Sequence, residues 1–137
     1  MHNKMKFNID ILKGRHVLSG VGTVSIEEGY VLEIDGKLYI VYEQEDDEYR
    51  SDCAIQQIDE DEVYSKVSMV GFPDQEVDIV IGNTFDSPFS RGVSLESFDV
   101  INPQDKSVIL NAWTMDWQDY YPCAQFAYHP ENLPINK

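Results

Sequence analysis

Apolar and polar positions recur with a period of two along this chain, and the clearest instance lies over residues 30–42. Two apolar runs, 30–34 and 37–42, flank Asp35-Gly36. An Asp-Gly pair adopts the positive φ angles of a type I′ turn at low cost, so the runs are predicted to close as an antiparallel hairpin. The two-residue loop sets the register: Ile34 opposite Lys37, Leu32 opposite Tyr39 and Tyr30 opposite Val41 on one face. Glu33 opposite Leu38 and Val31 opposite Ile40 form the other face. Both faces are largely apolar, which predicts a central ribbon covered on both sides in a sandwich or strongly curled sheet.

The same period marks residues 5–12, where Phe7, Ile9 and Ile11 alternate with Asn8 and Asp10, and residues 23–27, where Val24 and Ile26 alternate with polar neighbours. Gly20 and Gly22, between these runs, lack the following Lys and Ser/Thr of a phosphate-binding loop and are read as sites of a bulge or tight bend. Residues 63–70 and 76–81 are strand-like, and Gly71-Phe-Pro-Asp-Gln75 between them predicts a second hairpin turning at Pro73. The loop-like stretch 83–92 carries Phe85 and Phe89, which are expected to pin it to the core. Residues 93–101 read as a bulged strand, and 107–114 and 123–128 as the last two strands.

Residues 51–58 break the rhythm. Ser51 is a candidate N-cap, and Ala54, Ile55 and Ile58 fall on one helical face, so one short helix is expected near residues 51–61. The resulting fold class is mainly β, an antiparallel sandwich or strongly curled sheet of about eight strands. A chain of 137 residues with 42% apolar content suits one acidic β-rich domain over residues 1–137.

Charge changes the picture. The chain carries a net −15, and between Glu43 and Glu62 ten carboxylates stand against the single base Arg50. They concentrate in two clusters, Glu45-Asp46-Asp47-Glu48 and Asp59-Glu60-Asp61-Glu62. Only ten Lys and Arg are present, which argues against direct binding to nucleic acid or to anionic lipid. A basic protein is the better electrostatic partner. No apolar run spans a bilayer and no secretory signal is evident, so a cytoplasmic location is expected.

The motifs of common enzymes are missing. There is no GxSxG elbow, no HExxH and no calcium-loop pattern, and the only cysteines, Cys53 and Cys123, lack metal-site spacing. An enzyme is therefore not expected, nor a cofactor, and both cysteines are expected as buried or half-buried thiols. The second chemical feature is Trp113-Thr-Met-Asp-Trp-Gln-Asp-Tyr-Tyr121. Trp113 and Tyr121 suit the core. Trp117 and Tyr120 suit a connecting loop, where large amphipathic rings serve as binding anchors beside Asp116 and Asp119.

These features together point to a protein that occludes a basic toxin or nuclease, as immunity proteins and antitoxins do. Its expected contacts are Glu45, Asp46, Asp47, Glu48, Tyr49, Asp59, Glu60, Asp61, Glu62, Trp117 and Tyr120. The alternative is a small-molecule or carbohydrate-binding β module, or an accessory subunit of a larger assembly.

Overall fold

In the computed structural model, residues 7–24, 29–45, 51–59, 67–86, 92–115 and 122–137 are described. A 3-10 turn, Ile9–Leu12, leads into β1 (Gly14–Val24), β2 (Gly29–Ile34), β3 (Lys37–Glu45) and β4 (Ser51–Ile58). Then follow β5 (Val67–Ile81), β6 (Thr84–Phe85), β7 (Val93–Leu95), β8 (Ser97–Ile101), β9 (Val108–Met115) and β10 (Cys123–Tyr128). Two further 3-10 turns, Pro130–Asn132 and Pro134–Asn136, end the chain.

All neighbours pair antiparallel, in the order β10-β9-β8-β5-β1-β2-β3-β4-β7-β6. One continuous ten-stranded sheet, neither closed nor strongly curled, replaces the expected sandwich or curled sheet of about eight strands. The higher number reflects β4 in place of the expected helix, the two-residue β6, and the division of residues 93–101 into β7 and β8. Strands β9 and β10 also contact β4, and β10 contacts β3.

The β2–β3 hairpin has the register the Asp-Gly turn dictates, from Tyr30 opposite Val41 to Ile34 opposite Lys37. Asp35 takes φ +52° and Gly36 φ +77°, as a type I′ turn requires. Leu32, Ile34, Tyr39 and Val41 lie in the core, and Val31 on the opposite face is also fully buried. The turn is fastened to β1. Asp35 accepts the Val17 amide at 3.0 Å and pairs with His16 Nδ1, while its own amide donates to the Val17 carbonyl.

Three expectations from the sequence are corrected. Residues 51–58 form no helix: β4 pairs with β3 through all eight residues and with β7 on its other edge. Two flanking strands supply tertiary pairing that outweighs local propensity, and the Ser51 hydroxyl accepts the Ala124 amide instead of capping a helix. Residues 71–75 are no turn, since β5 runs unbroken from Val67 to Ile81 along β1. Between the pairs Leu18–Gln75 and Gly20–Gly71, β5 holds three residues opposite one of β1, so Pro73 sits in a bulge, where a missing amide is tolerated. Residues 9–12 coil as a 3-10 turn capped by Asn8, which turns Ile9 and Leu12 inward and leaves Ile11 half exposed.

Of the two glycines read as bulge sites, Gly20 lies at one, whereas Gly22 pairs regularly with Val31 and Met69. Pairing shifts between Leu18 and Gly20 on both edges. Phe85 does not pin its loop, being 37% exposed on β6, and the break within residues 93–101 falls at Glu96 between β7 and β8.

Candidate functional site

Two extended strands fix where the acidic clusters begin. In the β3–β4 ribbon Glu45 pairs with Ser51 and Leu38 with Ile58, so Glu45 and Asp59 stand at opposite ends, both exposed. At strand rise the seven steps from Ser51 to Ile58 span about 23 Å, against about 11 Å for a helix. The Debye length at physiological salt is only about 8 Å. The two clusters therefore start as separate patches. Asp46, Asp47, Glu48, Tyr49, Glu60, Asp61, Glu62, Trp117 and Tyr120 lie outside the described residues.

The Glu45 end is bound to the β9–β10 end. Ser51 donates its amide to the Pro122 carbonyl at 2.9 Å, and the Ala124 amide donates back to Ser51 Oγ at 3.0 Å. Thr114 adds a second tie, its hydroxyl accepting the Cys53 amide at 2.9 Å and donating to the Leu95 carbonyl at 2.7 Å. Met115 pairs with Cys123. Glu45 and Ser51, which flank residues 46–50 in sequence, thus lie at the same end of the sheet as Met115 and Pro122, which flank residues 116–121. The first stretch holds one acidic cluster and Tyr49, and the second holds Trp117 and Tyr120.

Two depressions flank Pro122 and Cys123. One, of about 670 Å³, is lined by Phe85, Glu96, Ser97, Trp113, Thr114 and Pro122. The other, of about 400 Å³, includes Thr23, Tyr30, Glu43, Cys123 and Gln125. Trp113, read from sequence as a core residue, is half-buried and forms a cleft wall, because its partners across the sheet are the small Ser97 and the polar Gln125.

One carboxylate of the acidic stretch is withdrawn from the surface. Asp52 is 3% exposed and accepts hydrogen bonds from Gln44 Nε2 at 3.3 Å and Ser94 Oγ at 3.5 Å. Tyr42 and Gln56 extend this buried polar group across β3 and β4. Strand alternation places Asp52 opposite Gln44, a signal the helical reading concealed.

Nucleophilic chemistry finds no support in the described residues. Burial and the neighbouring Asp52 push the Cys53 thiol far up, away from the thiolate a nucleophile needs. His16 is bonded to Asp35, and His129 lies near Glu131. Cys53 and Cys123 remain thiols, the first buried and the second half-buried. Among the described residues no three His, Cys, Asp or Glu side chains converge as metal ligands do. No protein-family model, no curated protein and no solved structure matches this chain, so a functional reading stands on the geometry of the joined β3–β4 and β9–β10 ends.

Proposed function

We propose that this is a cytoplasmic inhibitory protein of the immunity or antitoxin type, which binds a basic toxin or nuclease and covers its positive cleft. One observation carries the reading: the Ser51–Pro122 and Ala124–Ser51 hydrogen bonds join the residues that follow the acidic stretch 46–50 and the aromatic stretch 116–121 in sequence. Steering charge and desolvating rings are the two parts an inhibitory interface needs. Around this end the sequence supplies Glu43, Glu45, Asp46, Asp47, Glu48, Asp116 and Asp119 against Arg50. Asp59, Glu60, Asp61 and Glu62 start at the far end of β4 and add to the long-range field rather than to this contact.

The test is a low-salt capture of the basic partner, followed by association kinetics on charge-neutralised variants. Glu45→Gln, Asp46→Asn, Asp47→Asn and Glu48→Gln together are expected to slow association about tenfold or more at low salt and to flatten its salt dependence. The same neutralisation of residues 59–62 has the smaller effect. Equal on-rates for wild type and the 45–48 variant remove the reading. The aromatic cleft of Phe85 and Trp113 favours a second reading, a small-molecule or carbohydrate-binding module.

A further inference from the structure

The cleft between Phe85 and Trp113 has a lining whose chemistry is selective. Its lining combines two aromatic residues, Phe85 and Trp113, with an acid, Glu96, and a hydroxyl residue, Ser97. Glu96 interrupts the chain between β7 and β8, and its backbone is fixed from both sides: its amide donates to the Asn83 carbonyl at 2.8 Å and its carbonyl accepts the Thr114 amide at 3.1 Å. Asn83 Nδ2 touches one carboxylate oxygen at 3.3 Å. None of the ion pairs among the described residues includes Glu96.

Hydrogen-bond polarity decides between ligand classes. A sugar presents hydroxyls that donate and accept, and needs both kinds of partner on the wall. Here Thr114 Oγ1 is already committed to the Cys53 amide and the Leu95 carbonyl, so the lining offers the Ser97 hydroxyl, the Trp113 indole and one charged group, the Glu96 carboxylate. A guanidinium has donors alone, stacks on an aromatic face and meets a carboxylate two-pronged. We infer that this cleft receives an arginine side chain of the basic partner, stacked on Trp113 or Phe85 and paired with Glu96. The inference rests on the proposed function for its partner. Pro122, which lines the cleft, follows residues 116–121 in sequence and accepts the Ser51 amide, so the cleft shares a residue with the junction on which the proposed function rests.

A small probe tests the cleft without the partner. The full chain, labelled with nitrogen-15, is titrated with N-acetyl-arginine amide, with its uncharged isostere N-acetyl-citrulline amide, and with methyl glucoside. The arginine probe is expected to shift the Trp113 indole and Glu96 amide signals saturably, with the citrulline probe about tenfold weaker or more. Glu96→Gln, at an exposed position, abolishes the preference for arginine over citrulline, and Phe85→Ala weakens both. Equal binding of citrulline, a response to glucoside alone, or no saturable shift overturns the inference. The two proposals fail separately. Arginine preference without any basic partner removes the inhibitory function alone, whereas a salt-sensitive partner with no arginine preference removes the cleft's role alone.

Discussion

Ser51 and Pro122, 71 positions apart in the chain, share a 2.9 Å hydrogen bond, and the Ser51 hydroxyl takes up the buried amide of Ala124 two residues further on. One serine therefore joins the start of β4 to the start of β10. Ser51→Ala strands the Ala124 amide, and a buried donor without an acceptor costs about 1–3 kcal/mol. Urea denaturation is expected to report that loss with an unchanged slope, and hydrogen exchange at Ala124 should accelerate with it.

Gln75 closes the bulge of β5. Its Nε2 donates to the carbonyls of Pro73 at 2.7 Å and Asp74 at 3.2 Å, and its Oε1 accepts the Ile135 amide at 2.8 Å. Gln75→Ala removes all of these bonds, including the tie from β5 to the Ile135 amide in the C-terminal turn. A loss of about 1–3 kcal/mol is expected, with the Ile135 amide exchanging at the rate of an unprotected terminus.

Gly22 leaves room for the strand beside it. A Cβ there would stand 2.4 Å from Met69 Sδ, 2.7 Å from Val67 Cγ1 and 3.0 Å from the Ser68 carbonyl oxygen. The thioether can swing away but the backbone oxygen cannot. Gly22→Ala is expected to destabilise by about 1–3 kcal/mol, and adding Met69→Ala to recover only part of that loss in thermal melts.

Acid weakens the turn clamp. Partial burial raises the affinity of the Asp35 carboxyl for a proton, but hydrogen bonds from His16 and the Val17 amide, with the charges of His16 and Lys37, outweigh it and hold the group below its ordinary 3.8. A carboxyl depressed in the fold stabilises fully above its unfolded value, and that contribution is lost as pH falls through the folded value. Denaturation between pH 7 and pH 2.5 should show wild type losing more stability below about pH 4 than Asp35→Asn. With the Asp35 side chain 48% exposed, the difference is about 1 kcal/mol or less.

The two thiols should separate by reactivity. Cys53 is fully buried with its ionisation suppressed, whereas Cys123 is half-buried at the edge of a depression. Iodoacetamide at pH 8 is expected to label Cys123 first in the native protein and both residues in denaturant, as read by peptide mass spectrometry. Native labelling of Cys53 at the same rate would contradict this packing.

The legible parts of this fold were local. The hairpin over residues 30–42 is legible with its register, because a two-residue Asp-Gly turn leaves no freedom in how its flanks pair. The bulge at Gly20 was similarly visible. Residues 51–58 were misread because Ser-Asp-Cys-Ala-Ile-Gln-Gln-Ile has little preference of its own, and its state was decided by β3 and β7 on either side. Pro73 signalled a departure from regular pairing, yet nothing nearby distinguished a turn from a bulge. That choice belongs to β1, which continues past the irregularity and keeps β5 beside it.

The candidate site divides along the same line. Sequence alone determined the surplus of carboxylates, their clustering and the aromatic content of residues 113–121, since these are properties of composition and order. Tertiary structure alone decided that the clusters start at opposite ends of β4, that Asp52 points inward, and that Trp113 shares a cleft with Phe85 and Glu96. Pairing between strands far apart in the chain sets which residues meet, and its free energy comes from burial and hydrogen bonds that no single stretch can form by itself.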